Sequence, residues 1–105
     1  MIIKRKVTDE WNSFLGGLAQ VSFERHQTIM LKNTVPSDVL IVKSGVVKVY
    51  DITPSGDEQP VSFATTNEVM PIAWVFNHVE KTQYFYQAFT DTSLYKTSRE
   101  DFSAF

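Results

Sequence analysis

The chain has 105 residues, 43% of them apolar, and a formal net charge of −2. That length bounds one domain with a modest core, and the charge excludes the basic surface on which nucleic-acid binding rests. The absence of cysteine excludes disulfides, thiolate zinc sites, thiol catalysis and cysteine-held iron–sulfur clusters.

Eight Phe, four Tyr and two Trp favour strands and fill a wide core. Lys4, Arg5 and Lys6 form the only cationic cluster and read as the solvated edge of an N-terminal strand. Met1 to Val7 has charges with no apolar run behind them, unlike a signal peptide. No stretch approaches the roughly 20 apolar residues that span a bilayer.

A short helix opens the fold. Thr8 is its expected N-cap, and Asp9 and Glu10 sit where the helix dipole favours acids. Trp11, Phe14, Leu15 and Leu18 follow the spacing of a buried stripe, and Gly16 and Gly17 mark the end. This helix is expected to lie as a lid on one side of a barrel.

From Val21 the apolar period becomes two, with Ile29 and Leu31 alternating with Thr28, Met30 and Lys32. Asn33 to Asp38 is a turn cluster. In the run Val39 to Ser44, an outward Lys43 places Leu40 and Val42 inward. Gly45 breaks the run, and Val46 to Tyr50 resumes it with Lys48 outward and Val47 and Val49 inward. Thr53-Pro54-Ser55-Gly56-Asp57 is a hairpin turn, since Pro presets one dihedral and Gly permits a positive one. Val61 and Phe63 alternate with polar or small neighbours on the return strand.

Pro71 bars a strand centre, and Ile72 to Phe76 fits one short helical turn. Gln83 to Phe89 predicts an aromatic strand. A turn at Thr90-Asp91-Thr92 precedes a strand from Ser93 to Thr97. Ser98 caps a final helix opened by Arg99, Glu100 and Asp101. One helix, about seven short strands at close spacing and the start of a second helix predict an all-β sandwich or barrel.

This order, carried by the run Val39 to Tyr50, the hairpin Thr53 to Glu58 and the segment Asp91 to Phe102, resembles the cyclic-nucleotide-binding domain of the Crp/Fnr regulator family. The likeness covers roughly Phe23 to Phe105. It implies a mainly β fold, an antiparallel β-roll or jelly-roll barrel with short flanking helices. It also implies that residues 1–105 form one effector domain of a cytoplasmic, non-enzymatic transcription regulator with no cofactor. A small molecule would be the effector. DNA would be contacted only through a C-terminal helix-turn-helix, following a dimer helix; both lie outside this chain, and the full-length protein would be a homodimer. A second reading is a stand-alone small-ligand or cyclic-nucleotide-binding module outside transcription.

The family holds the cyclic phosphate in a cassette that would run here from Asn67 to Ala88. It uses a Gly-Glu pair, a short helix and an Arg-Ser/Thr-Ala run: helix N–H groups and an arginine fork grip the phosphate, and the glutamate takes the ribose hydroxyl. Here Pro71 and Ile72 stand at the Gly-Glu positions, and Thr82, Gln83 and Tyr84 at the Arg-Ser/Thr-Ala positions. Losing a buried arginine contact to an anion costs on the order of 2–5 kcal/mol. That weakens binding by about a hundredfold or more. Lys81 is the only cation nearby and lacks the fork. Tyr84 and Tyr86 share a strand face with Thr82 and Ala88, so their rings are expected to fill part of the nucleotide cavity. The candidate ligand residues are therefore Met70, Ile72, Ala73, Lys81, Thr82, Gln83, Tyr84 and Tyr86.

Other chemistry finds little support. His26 and His78 are the only histidines and form no His-x-His pair, which disfavours a cupin metal site. Asp57-Glu58 and Glu100-Asp101 are neighbours whose side chains point apart, so neither is a catalytic dyad. No nucleophile elbow, P-loop or dinucleotide fingerprint is present.

Overall fold

A computed structural model of the chain describes residues 3, 4 and 8–105. In chain order the elements are β1 (Ile3–Lys4), α1 (Asp9–Gly16), β2 (Ala19–Phe23), β3 (Thr28–Met30), β4 (Val39–Ser44), β5 (Val47–Ile52), β6 (Glu58–Ala64), β7 (Glu68–Met70), α2 (Ile72–Val75), β8 (Phe85–Ala88), β9 (Thr92–Thr97) and α3 (Arg99–Ala104). They build a five-stranded sheet, β1-β7-β4-β9-β2, and a four-stranded sheet, β3-β8-β5-β6. Every pairing is antiparallel. The expected mainly β fold with short flanking helices is thus present, with more strands than the seven anticipated. β1 is the edge strand on which Lys4 lies; Arg5 and Lys6 fall outside the described residues.

Strand β4 is central. Leu40 and Val42 face the four-stranded sheet and share a core with Val47, Val49, Ala64, Met70, Tyr86 and Leu94. Val39 and Ile41 point the other way, yet they too are buried, beneath a layer that includes Trp11, Leu15, Trp74, Val75 and Phe102 from the three helices. An uninterrupted apolar run of this kind marks a strand covered on both faces.

Local chemistry sets the helix ends. The Thr8 hydroxyl accepts from the Trp11 N–H at 3.1 Å, and the Ser98 hydroxyl accepts from the Asp101 N–H at 3.0 Å. Each satisfies a donor that the first turn leaves without an intrahelical partner. Pro71, joined to Met70 by a cis peptide, stands at the N-cap of α2, where its missing N–H costs no helical bond.

Two expectations need correction. Gln83 to Phe89 is not one strand: β8 covers only Phe85–Ala88, because Thr82 is tied sideways to the 31–34 loop by bonds from the Thr82 N–H to the Thr34 carbonyl and from the Asn33 N–H to the Thr82 carbonyl. Leu31 is exposed rather than in phase with Ile29, since the register of β3 against β8 shifts between Thr28 and Met30. Val61 and Phe63 lie exposed on β6, an edge strand, where Phe63 meets Phe89 edge-on with ring centroids 5.1 Å apart. Lys48 points outward as anticipated, pairing with Glu58 at 2.6 Å.

Gly45 joins β4 to β5 with φ +89°, and a Cβ there would stand 2.8 Å from the Thr92 Cα. Strain and clash act together, so Gly45→Ala is expected to destabilise the fold by at least about 2 kcal/mol in urea unfolding. A loss under about 0.5 kcal/mol, the range of ordinary surface changes, would contradict this.

Candidate functional site

The segment from Met70 to Tyr86 leaves the five-stranded sheet, makes the single turn of α2, loops through residues 76–84 and enters the four-stranded sheet as β8. Its two ends close a cleft against β5 and β6. The lining combines Pro71, Ile72, Ala73, Trp74 and Val79 with Thr82, Gln83, Tyr84 and Tyr86, and with Val49, Val61 and Ser62 from the sheet. The inner space is about 20 Å³, and the cleft measures about 380 Å³ with its open mouth. The inner part therefore matches one water-sized group.

Six of the eight residues singled out from sequence line this cleft: Ile72, Ala73, Thr82, Gln83, Tyr84 and Tyr86. Met70 does not; it is wholly buried in the core between the sheets. Lys81 does not either, and its side chain is exposed. Among the described residues no Lys, Arg or His lines the cleft. Sequence reasoning missed Val49, Val61, Ser62, Trp74 and Val79 as lining. The inward phase of Val49 was readable, but its meeting with α2 depends on tertiary packing.

The polar groups of the cleft are used unequally. The Thr82 hydroxyl donates to the Leu31 carbonyl at 2.6 Å and accepts from the Thr34 N–H at 3.1 Å. It is a structural anchor for the 31–34 loop. Tyr86 is only 6% exposed, and no hydrogen-bond partner meets its hydroxyl among the described residues. Burial, with a smaller contribution from the neighbouring Tyr84 phenol, pushes the Tyr86 hydroxyl up from 10.0 to about 12.

Trp74 links the cleft to the last helix. Arg99, the first residue of α3, lays its guanidinium over the Trp74 ring, 4.5 Å from the centroid, and donates from Nη1 to the Trp74 carbonyl at 3.0 Å. Elsewhere, Asp57 accepts from the Ser55 hydroxyl and Glu58 pairs with Lys48, so this acidic pair is divided between two structural contacts. Among the described residues no group of three His, Asp or Glu side chains is placed to hold a metal ion.

With the geometry in place, the comparisons with known proteins bear on it. Residues 20–105 match the family model described as the cyclic nucleotide-binding domain. The chain belongs to the cyclic nucleotide-binding domain family. Its cleft lies within the matched span. No curated protein matches the sequence.

Among solved structures, the chain is similar to Crp/Fnr-family transcriptional regulators. The sensor domain of the transcriptional regulator DNR from Pseudomonas aeruginosa is 19% identical, with a TM-score of 0.74, over 87% of this chain and 61% of that one. The Thermus thermophilus Catabolite Activator Protein is 18% identical, with a TM-score of 0.78, over 93% and 46%. The global regulator CLP of Xanthomonas campestris, described as c-di-GMP responsive, is 14% identical, with a TM-score of 0.79, over 90% and 45%. The shared property is the fold. The chain spans between about half and three fifths of the length of these regulators. Among the described residues no helix is long and apolar enough to cross a membrane.

The buried phenol supplies a pH test. The raised value means that the fold favours the protonated form. Its contribution is full below pH 10 and is lost as pH rises from the ordinary phenol value towards about 12. The loss should amount to about 2–3 kcal/mol. Urea unfolding between pH 9 and pH 12 should show this slope, and Tyr86→Phe should flatten it. At neutral pH the same substitution should stabilise the fold by about 1 kcal/mol, since no unpaired hydroxyl remains buried. A destabilised variant, or a slope that persists in it, would refute the assignment.

Proposed function

We propose that residues 1–105 act as one sensory effector domain of a Crp/Fnr-like transcription regulator, with a cassette that has lost its grip on a cyclic phosphate. The observation that carries this reading is the lining of the cleft. Pro71 has no N–H to give, Ile72 accepts no hydroxyl bond, and Thr82 has its hydroxyl engaged by Leu31 and Thr34. Among the described residues no cation lines the space, so a cyclic phosphate anion there would lose its hydration without a compensating charge. The inner volume of about 20 Å³ also falls well short of what a nucleotide occupies. Small-molecule sites typically run to about 300–1,000 Å³.

In this reading the domain is cytoplasmic and non-enzymatic, and it responds to a small effector other than a conventionally bound cyclic nucleotide. DNA is contacted by a C-terminal segment in a homodimeric full-length protein. The Arg99–Trp74 contact supports a sensing role, because it joins the cleft wall directly to α3.

Titration calorimetry with cyclic AMP, cyclic GMP and cyclic di-GMP should show no binding tighter than roughly 100 µM. The third nucleotide is included because the Xanthomonas regulator is described as responsive to it. Micromolar binding of any of the three would end the proposal. In gel-shift assays the 105-residue chain should form no sequence-specific complex that survives 200 mM salt. A net charge of −2 provides little phosphate neutralisation. A salt-resistant specific complex would contradict the assignment of DNA binding to another segment.

A further inference from the structure

A second depression shares Trp74 and Val79 with the cleft and adds Val35, His78, Glu80 and Arg99 to its lining. Asn77 completes it. Its space is about 570 Å³, within the roughly 300–1,000 Å³ typical of small-molecule sites. Unlike the cleft, it carries charge of both signs.

Those two charges are not paired with each other. Among the described residues the ion pairs are Lys32–Asp51 and Lys48–Glu58, so neither Arg99 nor Glu80 has a salt-bridge partner. Arg99 is half-buried, and its guanidinium is fixed from two directions. It lies over the Trp74 ring, and its Nη1 donates to the Trp74 carbonyl. Its other N–H groups meet no acceptor among the described residues. A guanidinium placed in advance loses little further freedom when it takes a carboxylate. Glu80 is exposed, and its carboxylate accepts no hydrogen bond among the described residues.

A simple anion in this space would meet Glu80 as a like charge, and a simple cation would meet Arg99. A molecule that carries both signs complements both. Val35 and Val79 offer its body apolar contact. We propose that this depression binds a free α-amino acid with an aliphatic side chain: its carboxylate on Arg99, its ammonium group on Glu80 and its side chain against the two valines. The inference goes beyond the function proposed above. It concerns a different lining and does not depend on how the cleft treats a cyclic phosphate.

Leucine, 4-methylpentanoate and 3-methylbutylamine test it, since the second lacks only the amino group of the first and the third only its carboxylate. In ¹H–¹⁵N spectra of the 105-residue chain near neutral pH, leucine should shift the amides of Asn77, Val79, Glu80 and Arg99. Its Kd should be about 1 mM or tighter. Each single-charge analogue should bind about fivefold more weakly. In Glu80→Gln, leucine should fall to the level of 4-methylpentanoate, whose own affinity should not decrease. In Arg99→Gln, leucine should fall to the level of 3-methylbutylamine. Arg99 also braces Trp74, so the exposed Glu80 is the variant that keeps the test independent of folding. Equal affinities of the three probes, shifts confined to other residues, leucine binding weaker than about 10 mM, or a preference for leucine that survives Glu80→Gln would overturn the inference.

Discussion

The structure depends on the burial of β4 from both sides. One face of the strand closes the space between the sheets through Leu40 and Val42, and the other seats the helices through Val39 and Ile41. A strand covered twice is held in register by both layers, because a slip of one residue would exchange every contact at once. β7 pairs with β4 through Leu40 opposite Met70 and Ile41 opposite Val69. The position of Pro71, and hence the start of α2, follows from that pairing. The cleft is therefore hung from the most firmly specified strand of the molecule.

Its far wall is fixed by a different device. Thr82 uses both its backbone groups and its hydroxyl on the 31–34 loop, so the segment before β8 is strapped to a neighbouring turn. Its bonds serve the fold. The consequence for electrostatics is direct: among the described residues, those that line the space between α2 and β8 bring hydroxyls and apolar surface but no positive charge. Trp74, itself part of the cleft wall, is held by Arg99 through both its ring and its carbonyl. One short helix thus touches both the cleft and the beginning of α3.

Much of the architecture was legible in the residues because its signals are local. Thr8 and Ser98 cap their helices as their positions suggested, the glycines at 16 and 17 end α1, and the turn around Gly56 joins β5 to β6. The short turn after Pro71 formed where strand pairing was barred. The stretch that carries most of the cleft lining was also legible as a segment. Its membership in detail was not. Met70 turned inward to the core and Lys81 outward to solvent, although both are near neighbours in sequence of lining residues. The length of β8 was overestimated for a similar reason: its aromatic pattern continues through Tyr84, but the bonds of Thr82 take the backbone away from the sheet.

The sequence by itself determined the all-β layout, the caps and the turns. Those are properties of residue type and near-neighbour spacing, and they act over a few residues. Only the tertiary structure decided that Val49 and Ser62 join Tyr86 in one row, that the Thr82 hydroxyl is already engaged, and that Tyr86 is buried with no hydrogen-bond partner for its hydroxyl among the described residues. Whether a polar atom has a partner depends on groups far apart in the chain, and that is settled by packing rather than by pattern.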